Sequence, residues 1–189
     1  MSLHVRTAVA AGLLAVCGLA LATPRPLVAA KSRIDFSVKE MGVTVSGQFR
    51  KFEATIDLDP ARPEASKAEV IVDIASLTTG DADTDAIAVD KPWLDKLGFP
   101  KATFRSTAVK SPAPNRYEVS GVLTIRGKAR PIVVPLTTAA QADGGLLATG
   151  GFSVRRSDFG IGGGEWNEGD LVADDVPVTF SLTLGPAAR

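Results

Sequence analysis

The chain has 189 residues, with 21 basic side chains balanced by 21 acidic ones and a single histidine and a single cysteine. A zero net charge supplies no field that would gather nucleic acid or an anionic membrane surface. With so little imidazole and thiol, acyl-transfer triads and the common zinc sites are excluded as well.

The first element reads as an export signal. His4 and Arg6 give a short cationic start, Ala8 to Ala22 is an almost unbroken apolar run, and Ala20-Leu21-Ala22 places small residues where a signal peptidase reads. The run is short for a membrane span, which needs about 20 apolar residues, and Pro24 and Pro26 follow it. Residues 1–22 are therefore expected to be a cleaved signal peptide, leaving residues 23–189 as one domain in the periplasm. A second small-residue site, Val28-Ala29-Ala30, would cut into the first strand. Cleavage after Ala22 removes His4, Cys17 and Arg6, leaving 167 residues with 20 basic and 21 acidic side chains. A thiol-free chain suits an oxidising compartment.

From there the sequence alternates with period two, the pattern of a half-buried strand. Ile34, Phe36 and Val38 share a face opposite Arg33, Asp35 and Lys39. Phe52, Ala54, Ile56 and Leu58 repeat this, as do Ala68, Val70, Val72 and Ile74. Less regular runs cover 101–110, 131–140 and 146–154. Tyr117, Val119, Gly121, Leu123 and Ile125 form another face, and Val176, Val178, Phe180, Leu182 and Leu184 the last. Asp59-Pro60, Pro112-Ala113-Pro114-Asn115, Arg126-Gly127-Lys128 and Asp143-Gly144-Gly145 separate the runs with turn residues. Alternation stops between Asp81 and Leu97, where Asp81 or Asp83 is placed to cap a short helix ended by Pro92.

About eight strands at hairpin spacing must hide their apolar faces together, in a sandwich or a closed barrel. Runs of about ten residues exceed the usual five or six and favour a barrel wide enough for one ligand. The class is thus all-β, an extended eight-stranded antiparallel barrel with a helical insertion around 81–97.

The chemistry-bearing patterns are thin. Most carboxylates oppose an apolar strand face, where a solvated charge belongs. Asp81-Ala82-Asp83-Thr84-Asp85 imitates the start of a calcium loop, yet Ala86 and Pro92 occupy the places that need glycine and glutamate. The glycines from Gly160 to Gly164 lack the spacing of a dinucleotide fingerprint. No catalytic or metal residue is assigned. The aromatics say more: Trp93 and Trp166 lie in the two longest non-strand segments, where a lid or rim over an apolar guest would use them.

Several blocks, in order along nearly the whole mature chain, resemble the YceI-like family. They are Ser32-Arg33-Ile34-Asp35-Phe36-Ser37-Val38 with Met41-Gly42-Val43 and Gly47-Gln48-Phe49; Ala75-Ser76-Leu77-Thr78-Thr79-Gly80; and the stretch from Trp93-Leu94-Asp95 through Phe99-Pro100-Lys101-Ala102-Thr103-Phe104-Arg105-Ser106. The stretch Tyr117 to Gly127 and the block Arg156-Ser157-Asp158-Phe159-Gly160-Ile161-Gly162 complete the set. Gly164-Glu165-Trp166 is similar to a branch some of whose members accompany cytochrome b561-type membrane proteins. The resemblance implies a lipocalin-like barrel whose apolar tunnel holds a polyprenyl lipid, an isoprenoid quinone or a related lipid, without catalysis. It departs from many relatives in carrying Asp85-Ala86-Ile87-Ala88 where they have Asp-x-His-Leu, and Lys31-Ser32 where they often have His-Ser.

The expected tunnel wall comprises Phe36, Val38, Val45, Phe49, Phe104, Leu123, Ile125 and Phe180. Trp93, Phe159 and Trp166 are expected at its mouths, with segments 81–97 and 157–170 as gates. Two other roles stay open: an accessory partner of a membrane cytochrome b561-type protein, and a barrel filled by its own side chains that acts through its surface. An exposed strand edge or the Trp93 region could pair two copies as a homodimer.

Overall fold

A computed structural model describes residues 24–163 and 171–187. The proposed signal peptide and Trp166 lie outside the described residues. Among the described residues, ten strands and one α-helix follow one another as β1 (Arg33–Glu40), β2 (Val43–Phe49), β3 (Phe52–Asp57), β4 (Lys67–Asp73), β5 (Leu77–Thr78), α1 (Ala82–Ala88), β6 (Lys101–Ala113), β7 (Arg116–Ile125), β8 (Lys128–Ala140), β9 (Leu146–Arg155) and β10 (Asp175–Leu184).

All pairings are antiparallel, and they return to their starting point. β1 pairs with β10 on one side and with β2 on the other. β3 continues β2 after two residues and pairs with β4, while β5 continues β4 and pairs back with β2. From β4 the ladder runs through β6, β7, β8 and β9 to β10. With the bent strands β2–β3 and β4–β5 each traversed as one ribbon, eight ribbons form a barrel. Closure removes the exposed edges that an open sheet leaves. β2 alternates as well, with Val43, Val45, Gly47 and Phe49 on one face and Thr44, Ser46 and Gln48 on the other.

The segment before β1 fits between β3 and β10. Arg25 bridges Ile56, Leu27 bridges Leu184, the Gly185 amide donates to the Pro26 carbonyl at 2.7 Å and the Val28 amide to that of Thr183 at 2.8 Å. Hairpins β1–β2 and β7–β8 turn on Met41-Gly42 and Arg126-Gly127, whose φ values are all positive (48° and 83°, 49° and 68°). Two consecutive positive φ angles match the twist of the flanking strands.

Packing differs between the two ends. Val109, Tyr117, Val119 and Val134 form a buried cluster with Leu58 and Leu136 against it, which fills the end opposite α1. At the other end, Ile74, Leu77, Val89 and Ala102 anchor α1 and the turns after it to the rim.

Helix α1 has the expected cap. Asp81 is extended (φ −116°) and its Oδ1 accepts from the Thr84 amide at 2.8 Å. Asp83 and Asp85 sit in the first turn, where negative charge suits the helix dipole. The helix stops at Val89, ahead of Pro92. Of the alternating acids, Asp81 caps the helix and Asp85 accepts from Thr79.

Candidate ligand site in the barrel interior

Inward positions on the strands do not meet in the middle. A cavity of about 170 Å³ occupies the centre of the barrel, lined by side chains from β1 to β10 that include Phe49, Val70, Phe104, Leu123, Phe152 and Phe180. Among the described residues, the only polar one in its lining is Thr103. A second cavity of about 240 Å³ lies under α1 and the turns after it, lined among others by Phe36, Val38, Val45, Leu77, Ile87 and Trp93. Phe49, Leu94, Ile125, Val154 and Val178 line both, so they form a waist between two parts of one bore.

Phe36, Phe49, Phe104, Phe152 and Phe180 all face this bore, and every one is only partly buried. A solid core would bury such rings fully, at native packing density. The cavity argues against the alternative of a barrel filled by its own side chains.

Among the described residues, polar groups gather at the second cavity, where Glu40, Thr79, Thr84 and Arg156 reach the lining. The bore is apolar inside and polar at its mouth. Ile87, at 58% exposure, stands on the rim.

Arg156 holds that mouth together. Only 3% exposed, it donates Nε to the Ala173 carbonyl (3.2 Å), Nη1 to those of Ile161 and Gly162 (both 2.9 Å), and Nη2 to that of Val172 (2.9 Å). Its guanidinium also lies 5.9 Å from the ring centre of Trp93, within reach of a cation–π contact. The Gly162 amide donates to the Pro92 carbonyl at 2.8 Å, and Arg126 donates to the Gly160 and Lys91 carbonyls. These bonds fasten the turns around Trp93 to the 156–162 segment, at the same mouth.

Two carboxylates fix the flanking segments. Asp85 accepts from the Thr79 amide (2.5 Å) and hydroxyl (2.7 Å), and these bonds hold its pKa below the ordinary 3.8. Burial pushes the Asp174 carboxyl up, but the Ser157 amide and hydroxyl and the Arg155 guanidinium outweigh it and leave the pKa lowered. Asp174 thereby anchors the turn that presents Arg156, accepting from Ser157 N at 2.9 Å and Ser157 Oγ at 2.8 Å.

Of the residues expected from sequence, Phe36, Val38, Val45, Phe49, Trp93, Phe104, Leu123, Ile125 and Phe180 line the bore. Phe159 does not. At 3% exposure it packs with Leu123 and Val154 in a cluster behind the lining, which corrects its placement at a mouth. Trp166 lies outside the described residues. Sequence reasoning missed Arg156, because nothing local marks an arginine whose acceptors come from residues 161–162 and 172–173. It also missed Val178 and Phe152, although alternation from Phe180 and Val154 puts both on the inward face.

An antiparallel barrel with an open apolar bore and a polar mouth is the architecture of a small-ligand-binding protein. The chain belongs to the YceI-like family, whose YceI-like domain model matches residues 26–184. A UPF0312 protein of Pseudomonas savastanoi pv. phaseolicola is 37% identical over 136 residues, covering 69% of this chain and 71% of its own. A UPF0312 protein of Azotobacter vinelandii is 31% identical over 134 residues, covering 68% and 70%. The crystal structure of Burkholderia cenocepacia BcnA superposes with a TM-score of 0.80 at 37% identity, covering 83% of this chain and 98% of that one. A polyisoprenoid binding domain from Saccharophagus degradans, implicated in plant cell wall breakdown, shares the fold with a TM-score of 0.68 at 17% identity, covering 88% and 99%.

Proposed function

We propose that the protein is a non-catalytic carrier that holds a long isoprenoid chain, as a polyprenyl lipid or the tail of an isoprenoid quinone, inside its bore. The observation that carries this reading is the ring of inward, partly exposed phenylalanines around an open, nearly all-apolar cavity. A hydrocarbon tail would lie in the centre, and a polar head would sit at the mouth beside Glu40, Thr79 and Thr84. The shared fold with a domain named for polyisoprenoid binding supports the ligand class.

Burial of hydrocarbon contributes roughly 0.8 kcal/mol per CH₂, whereas association costs an estimated 4–15 kcal/mol. One or two isoprene units hold poorly on that balance, so the ligand is long. The working compartment is the periplasm, reached by cleavage after Ala22. A cut after Ala30 would delete the Arg25 and Leu27 bridges that fill the wall between β3 and β10. An accessory role beside a cytochrome b561-type protein draws on Trp166, and no described residue favours it.

The test is to purify the protein from its own periplasm, extract it with organic solvent and identify the co-purified lipid by mass spectrometry. A prenyl lipid in near-stoichiometric amount is expected. Acyl lipids alone, or none, would refute the ligand class.

A further inference from the structure

Glycine inside a strand weakens a sheet, and where it persists another group usually comes close to the backbone. Three glycines sit at inward positions of this barrel: Gly47 between Val45 and Phe49, Gly121 between Val119 and Leu123, and Gly150 between Ala148 and Phe152. Each has a phenylalanine ring where its Cβ would be. A Cβ on Gly47 would stand 2.4 Å from Cζ of Phe36, one on Gly121 2.5 Å from Cζ of Phe104, and one on Gly150 2.6 Å from Cζ of Phe180. Phe36 and Phe180 lie directly across the ladder from their glycines, and Phe104 sits diagonally from Gly121.

We propose that Gly47, Gly121 and Gly150 set the calibre of the bore, by giving Phe36, Phe104 and Phe180 a flat seat against the wall. The claim rests on the carrier reading, since it concerns which chains the bore admits. The three pairs lie on β1/β2, β6/β7 and β9/β10, spread around the barrel. Aromatic rings packed over strand glycines also recover contact that the missing side chain forfeits. A methyl group at any of these positions displaces the ring from its seat, toward the bore that all three rings line. Phe36 lines the mouth cavity, so Gly47 governs entry of any chain. Phe104 and Phe180 line the central cavity, so Gly121 and Gly150 limit how far a long chain reaches.

Gly47 is the position to test first. Cβ atoms on Gly121 and Gly150 would also meet the Arg105 and Pro135 carbonyls at 2.5 Å, while at Gly47 the nearest backbone atom is the Thr78 carbonyl at 2.9 Å. The full mature chain is compared with Gly47→Ala, Phe36→Ala and the double variant. The probes are the dye N-phenyl-1-naphthylamine, which needs only an open apolar bore, and farnesol and solanesol in competition with it. Gly47→Ala is expected to weaken both prenols and the dye by about tenfold or more. Adding Phe36→Ala is expected to restore binding to the level of the Phe36→Ala protein. Rescue of folding by Phe36→Ala, should the single variant fail to fold, counts equally for the ring clash.

A double variant as impaired as Gly47→Ala alone would show backbone strain instead and overturn the proposal, as would a Gly47→Ala protein that binds like the wild type. The carrier reading fails separately, if wild-type protein takes up the dye but no prenol displaces it; the dye then still reads the calibre. A wild-type protein that takes up neither overturns both.

Discussion

Replacing Val178 with tryptophan should split the bore in two. Val178 belongs to the waist shared by the two cavities, on β10 opposite Phe152 and Phe36. An indole there would fill the passage and deny a ligand the central 170 Å³. Apolar cavities in proteins carry about 24 cal/mol per Å³, so hydrocarbon filling that volume contributes about 4 kcal/mol. At 1.4 kcal/mol per factor of ten, a long prenol loses roughly a thousandfold in affinity. A short prenol that fills only the mouth cavity loses far less. Competition titrations with solanesol and farnesol measure the two values, and a thermal melt checks that overpacking has not unfolded the barrel. Equal losses for both chains, or none for solanesol, would refute the picture of one continuous bore with its deep half in the centre.

Other consequences follow from the mouth. Arg156→Met removes the donors of four carbonyls and is expected to cost about 3–5 kcal/mol in a urea titration, because buried acceptors lose charged partners; a loss under about 1 kcal/mol would contradict the clamp. Asp85 has a folded pKa below its ordinary 3.8, so the stability it adds is complete above that value and declines as the pH falls below it toward the folded value. Asp85→Asn should therefore flatten the thermal midpoint across the acid range, and an unchanged acid limb would show that the Thr79 tether contributes nothing. Asp81→Ala should remove the cap on α1, read as a lowered melting temperature with the barrel's β-sheet circular dichroism retained.

Much of this architecture was already written in period-two alternation. Phe36 with Val38, Leu123 with Ile125, and Phe180 with Leu182 face inward because their neighbours are polar, and a strand cannot present both sets to one side. The helix cap at Asp81 was legible for the same local reason: capping involves only the next few residues. The family, too, was readable from blocks of sequence in order.

Tertiary structure alone decided what the inward faces enclose. Alternation says which side avoids water, but whether those sides touch or leave a gap depends on barrel circumference and on where each ring folds down. Phe159 shows this, since an aromatic residue in a glycine-rich turn could rim a mouth or back a wall, and only packing against Leu123 and Val154 chose the wall. Arg156 shows it again: its four carbonyl partners converge from two separated segments, so no window of sequence contains them. Gly47, Gly121 and Gly150 look like weak points in a strand until the phenylalanines lying over them are seen. Local patterns are set by neighbours in the chain; an empty bore is set by atoms that are distant in the chain and adjacent in space.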